Sequence, residues 1–356
     1  MRTKRRRVLA WTSTAALVVL HAVGCGSSDS GGGGNGGGGG DASCWPTDPR
    51  CKLPNGAGFE CLALHDNGVG DHGTYRMRQL QVLKPPLLAG PFLQNTVVSY
   101  AITLDQPECL QQGKGTFSWL FDVDWAAGIV KTGGGHVTDK PFEGYCWIDQ
   151  DVSGFHVQPV DVALTVGQDG DHRTFSTSQP IPIMNVPIFL DATETNTVLL
   201  PLHQVELLDG RVSPDNNCIG AWDGDGLSVD NNCIPDKTIG QTMPWLNGAR
   251  LAGFITAEEA DAVWIPEMDQ SLCVALSGDS GKYGETDTVR GDGKGLKCKR
   301  DVNGRIAATE KADWCSSTNE QCDPCPIDSV CDGAADSFRL EGMFAASAAK
   351  IKDTCP

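Results

Sequence analysis

From residue 74 onward, short apolar stretches alternate with polar positions at a period near two, and Gly, Pro or Asp interrupts each. The stretches are 74–83, 96–104, 116–124, 157–166, 181–190 and 197–208. A period of two sends successive side chains to opposite faces of a strand. The breaks at Lys84-Pro85-Pro86, Gly113-Lys114-Gly115, Gly133-Gly134-Gly135 and 167–171 carry turn residues. Many short strands at this spacing predict a mainly β, antiparallel β-sandwich-like domain rather than alternating βαβ units. Later the pattern is mixed. Thr256-Ala257-Glu258-Glu259 is a capping box that predicts a short helix through Val263. Residues 272–276 read as a buried strand. Residues 338–351 are rich in Ala, yet Phe338, Leu340, Gly342, Phe344, Ala346 and Ala348 alternate, which predicts a terminal strand.

The first 24 residues follow a different rule. Arg2, Lys4, Arg5, Arg6 and Arg7 precede an apolar run from Val8 to Val23 that is shorter than the ~20 residues a bilayer span needs. Such a run suits a secretory h-region. Ala22-Val23-Gly24 then leads into Cys25. In this order of basic, apolar, small and Cys, the leader resembles bacterial lipoprotein signal peptides, with Ala22 where that family usually has Leu. The resemblance implies cleavage before Cys25, a diacylglycerol on its sulfur and an acylated amino group. Residues 26–43 read GSSDSGGGGNGGGGGDAS, which can bury nothing and predicts a flexible tether. The expected domains are therefore a signal peptide over 1–24, lipidated Cys25 and tether over 25–43, a Cys-rich segment over 44–73, and a β domain over 74–356. A sub-boundary is expected near 214–240.

Fifteen cysteines become fourteen once Cys25 is set aside, and export places them in an oxidising compartment. Up to seven disulfides are expected among Cys44, Cys51, Cys61, Cys109, Cys146, Cys218, Cys233, Cys273, Cys298, Cys315, Cys322, Cys325, Cys331 and Cys355. Connectivity stays open. The run Cys315, Cys322, Cys325, Cys331 contains only one CxxC, where structural zinc usually takes two close ligand pairs, so it reads as disulfides.

Charge narrows the partners. Losing the leader, with five basic residues and no acidic one, takes the net charge from −17 to −22. Nucleic acid is excluded by repulsion from its phosphates. An anionic membrane surface is likewise unattractive except through covalent lipid.

Local motifs for chemistry are sparse. Gly278-Asp279-Ser280-Gly281 resembles the nucleophile tetrapeptide of chymotrypsin-like proteases, but Lys282-Tyr283 follows and no His motif precedes it, so it reads as a polar turn. His65-Asp66 and Asp71-His72 form the densest His/Asp cluster. The pentapeptide Asp-Asn-Asn-Cys-Ile occurs twice, at 215–219 and 230–234, with Asp223-Gly224-Asp225-Gly226 between. The second copy resembles a thrombospondin type 3 calcium repeat, with Ala221 in place of its first aspartate and Ile234 inserted before Pro235. That resemblance implies calcium on Asp223, Asp225 and Asp230. The other reading is a set of Asx-rich turns stapled by disulfides.

In overall layout the chain resembles cysteine-rich surface lipoproteins of myxobacterial type. The expected function is a non-catalytic binding or structural role at the cell envelope surface, anchored most naturally in the outer membrane. Its extracellular or periplasmic ligand is not specified by any motif. The alternative is an extracellular hydrolase acting on glycan or protein, with a site assembled only by folding.

Overall fold

The computed structural model describes residues 43–91, 93–152, 154–235, 243–277, 296–300, 304–306, 311–323 and 335–352. Cys25, the tether, Asp279 to Gly281, Cys325, Cys331 and Cys355 lie outside them.

Eleven strands form the main sheet framework. They are β1 (His72–Lys84), β2 (Ser118–Asp124), β3 (Ile129–Gly135), β4 (Val160–Asp169), β5 (His172–Thr177), β6 (Ile181–Phe189), β7 (Thr197–Leu208), β8 (Gly210–Val212), β9 (Cys218–Ile219), β10 (Ala249–Thr256) and β11 (Ser337–Ala348). Eight of them close a ring in the order β1-β2-β3-β4-β5-β8-β9-β11 and back to β1, every pairing antiparallel. The chain is mainly β as expected, but the sheet is a closed barrel rather than an open sandwich. Closure leaves the ring few free edges, which a sandwich would have to protect, the exception being β1 where it runs past its Arg76–Leu120 pairing with β2. Strand β11 makes it possible by its length. One edge pairs with β1 from Glu341 to Ala348, and the other pairs first with β10 and then, at Ser347 and Ala346, with β9. From that branch an arm runs β11-β10-β7-β6.

Two strands change the parity of their apolar positions midway. In β1 the inward residues are Tyr75 and Met77, then Leu80 and Val82; in β7 they are Val198, Leu200 and Leu202, then Val205 and Leu207. Each change coincides with a register shift, between Met77 and Gln79 and between His203 and Glu206, the latter at Gln204 with φ 48°. A bulge adds the one residue that restores inward facing, and it turns His203 and Glu206 outward. In the ring's interior Phe121 stacks on Phe344 at 5.5 Å between centroids, and Trp125 packs on Phe175 at 5.6 Å.

Two expected strands are helices. The 96–104 stretch lies in a π-helix, Leu93–Ser99, that continues as the α-helical turn Tyr100–Ile102. Its Leu93, Val97, Val98, Ala101 and Ile102 recur at helical spacing and share one apolar face. No strand is needed against the free edge of β1 here, because Gln94 supplies the bonds: its Oε1 accepts from Val82 N at 2.7 Å and its Nε2 donates to Leu80 O at 2.8 Å. The expected strand at 272–276 is helix α2 (Leu272–Ser277), buried at every position. A short apolar run fits a buried helix or a buried strand equally, and here the cap Val274 N to Ser271 Oγ and the Cys273–Cys298 disulfide select the helix. Helix α1 (Ala257–Ala262) carries the expected capping box, with Thr256 and Glu259 bonded reciprocally.

The 44–73 segment belongs to the same compact unit as the strands. Disulfides Cys44–Cys233, Cys51–Cys109 and Cys61–Cys218 tie it down, and Leu64 N and His65 N donate to Ala348 O on β11. Its Leu62 and Ala63 share a second core with Trp222 and Trp245. Cys315–Cys322 is a fifth described disulfide, and Cys146 is also disulfide-bonded.

Candidate apolar ligand site

Where the arm leaves the ring, the inner faces of β1, β2, β6, β7, β10 and β11 do not meet, and a cavity of ≈190 Å³ remains between them. The 93–102 helical segment covers one side through Leu93, Val97, Val98, Ala101 and Ile102. Leu80, Val98, Ile188, Leu200, Leu251 and Leu340 are only half-buried, so their remaining apolar surface faces this space. The parity changes in β1 and β7 place every inward residue on the lining side. A Cβ added at Gly342 would lie 2.9 Å from Leu80 Cδ1 and 3.1 Å from Gln81 O, so the glycine leaves room for that leucine to lie across β11.

Two charged residues, Lys84 and Glu341, line the cavity, and they pair with each other at 3.2 Å while remaining partly exposed. Charged groups that satisfy each other at a rim leave the interior without a polar anchor. An apolar cavity of about 150 Å³ stays dry and binds benzene. By that scale the present one accommodates about seven or eight carbon atoms.

The titratable residues singled out in the sequence are dispersed. His72 Nε2 meets Asp122 at 2.6 Å, Asp71 pairs with Arg173 at 3.2 Å, and Asp66 bonds Gly68 N and Asn217 Nδ2. The His72, Asp71 and Asp66 side chains of the sequence's dense His/Asp cluster thus each take separate partners. The Gly68 N–H, with the Asn217 and Asn55 amides, holds the Asp66 carboxyl below its ordinary range. Other histidines also sit on carboxylates, His136 on Glu194 at 2.9 Å and His203 on Glu259 at 2.8 Å, outside the cavity lining. Ser277, at the edge of the serine-protease-like tetrapeptide, donates to Cys273 O within α2.

Asp225 is exposed and accepts from Trp45 Nε1 at 2.8 Å, Asp230 is exposed, and Asp223 is half-buried. Among the described residues these three carboxylates do not form a converging group. Among the described residues, the one group of acidic and sulfur ligand atoms within 4.8 Å of one another is Asp261, Cys273 and Cys298. Those two cysteines are joined as a disulfide, and Asp261 accepts from Ser271 Oγ, Cys298 N and Arg300, so that group is a structural knot.

The two pentapeptide copies have opposite fates. Asn216, Asn217, Cys218 and Ile219 are 3%, 0%, 3% and 1% exposed. Asn216 Oδ1 accepts from Tyr75 Oη at 2.6 Å and from Trp125 Nε1 at 3.0 Å, while its Nδ2 donates to His72 O at 2.7 Å. In the second copy Asp230 and Asn232 are exposed, Ile234 is 53% exposed, and Asn231 Nδ2 bonds only Ile234 O.

The lining residues were legible as core from their alternation, and 93–102 had a helical period. That the core is left unfilled has no sequence signal. Fold and site together define a disulfide-stapled antiparallel barrel with an apolar cavity where the arm leaves the ring. Comparison with known protein families, curated proteins and solved structures finds no match to this chain.

Proposed function

We propose that the chain is an exported, lipid-anchored binding protein of the cell envelope, and that its cavity takes a small apolar ligand. One observation carries the ligand class: among the described residues the only charged lining groups are a mutually paired rim couple, so apolar surface greets the occupant. Large contiguous apolar surface open to a ligand is uncommon without a binding role. Dispersal of the His–carboxylate pairs away from the cavity favours binding over the hydrolase alternative. The lipid anchor rests on the leader and Cys25.

Burying about eight carbons at ~0.8 kcal/mol each gives about 6 kcal/mol, a Kd on the order of 10–100 μM before ordering costs. p-Xylene is a probe of that size. Titration calorimetry of the disulfide-intact protein is expected to show saturable binding in this range, with a rise in Tm. Val98→Trp, which projects a ring from the covering helix into the space, is expected to abolish both. Absence of binding to the wild type, or equal binding to the filled variant, refutes the ligand site.

A further inference from the structure

One face of β1 lines the cavity; the other carries Arg76 and Arg78, which are 0% and 2% exposed. Each guanidinium has five N–H donors and remains protonated near neutral pH. Arg76 Nε donates to Ser118 Oγ, one of its Nη atoms to Met77 O, and the other to Ile102 O and Phe117 O. Arg78 donates through one Nη to Leu62 O and Ser347 Oγ, and through the other to Gln111 Oε1. Seven of the ten N–H groups thus have acceptors.

No carboxylate among the described residues pairs with either guanidinium. The neighbouring ionisable groups are the two arginines themselves and Tyr145, all fully buried. The Tyr145 ring lies 5.4 Å from the Arg76 carbon, and its hydroxyl, on a residue 1% exposed, has no hydrogen-bond partner. Two adjacent buried cations without a counter-charge are unfavourable even after carbonyl solvation. Water would satisfy the orphan hydroxyl yet leave both charges standing.

We propose that Arg76, Arg78 and Tyr145 form a buried site for one small monovalent anion of the chloride class. Such an ion accepts several N–H and O–H bonds at once and carries no substituent that would have to fit through the packed wall. It also opposes the burial and the Arg76 repulsion that push Arg78 down to about 9. Because Arg76 bonds the carbonyls of Ile102 and Phe117, two cavity-lining residues, the bound ion braces the wall of the apolar site from behind.

The test uses the disulfide-intact protein at constant ionic strength with sodium chloride exchanged for sodium gluconate. Tm is expected to rise with the logarithm of chloride concentration. Tyr145→Phe, which keeps the ring and removes the orphan hydroxyl, is expected to flatten that slope; Arg78→Met, which removes one charge, is expected to abolish it. Crystals grown in bromide are expected to show an anomalous peak within hydrogen-bond distance of Tyr145 Oη. Equal Tm in the two salts, an undiminished chloride slope in Tyr145→Phe, or bromide confined to the surface overturns the proposal. The bromide measurement on the wild type decides the matter even if a variant fails to fold.

Discussion

Asn216 and Asn231 occupy the same position in two identical pentapeptides, so replacing each by alanine isolates the effect of tertiary context. Asn216→Ala deprives Trp125 Nε1 of its acceptor and the His72 carbonyl of its donor; both groups lie against a residue that is 3% exposed. Tyr75 Oη loses its 2.6 Å acceptor but retains the Asn216 carbonyl at 3.1 Å. Each orphaned buried group costs about 1–3 kcal/mol. Asn216 also has φ 61°, a conformation asparagine tolerates and alanine resists by about 1 kcal/mol. The total is about 3–7 kcal/mol. Asn231→Ala removes one solvent-exposed bond to Ile234 O, at about 1 kcal/mol or less. Urea unfolding under oxidising conditions, followed by tryptophan emission, measures both. Asn216→Gly separates the terms, since glycine loses the same bonds but accepts the positive φ. Equal losses at the two positions, or a loss at Asn216 below about 1 kcal/mol, would refute the assignment of Asn216 as a buried keystone.

Three further outcomes follow from residues already described. Removing Cys61–Cys218, which closes a separation of 157 residues, by double alanine substitution is expected to cost about 5 kcal/mol by loop entropy; removing Cys315–Cys322, with a separation of 7, costs about 2 kcal/mol, read from the difference in urea midpoints. Burial pushes the Asp215 carboxyl up, but bonds from Ser213, Asn217 and the Gly58 N–H outweigh it and leave it below its ordinary value of 3.8. Its folded pKa therefore lies under its unfolded one, so its contribution is complete above about pH 4 and is lost as pH falls through the folded value. Asp215→Asn is expected to flatten the acid limb of the stability–pH curve, and an unchanged limb counts against that linkage. Cys25→Ala is expected to move the protein from the membrane to the soluble fraction, and unchanged fractionation removes the lipid anchor from the proposed function.

Much of the architecture is local and was therefore legible. Alternation located β1, β2, β6, β7 and β11 within a few residues, because the period-two pattern is set by which face of a strand is buried. The parity changes at Met77/Leu80 and Leu202/Val205 are present in the sequence, but that each is a bulge follows from the strand register. The capping box at Thr256 and Glu259 needed no partner outside its own turn. Strand partners were different. Nothing local to 337–348 says that it pairs with β1 on one edge and with β10 and β9 on the other, yet that choice converts a sandwich into a barrel. The 96–104 stretch matched a strand pattern until Gln94 took over the hydrogen bonds a strand would have made.

By itself, then, the sequence determined the β class, the short helix after Thr256 and the acidic charge. All of these depend on composition or on neighbours within a few residues. Tertiary structure alone decided which copy of Asp-Asn-Asn-Cys-Ile would be sealed in the core, where two arginines would be buried without a carboxylate, and that a cavity would stay open beside them. Each of those depends on groups distant in the chain, 141 positions for Asn216 and Tyr75 and 269 for Arg78 and Ser347, whose approach is fixed by packing and closure rather than by any local preference.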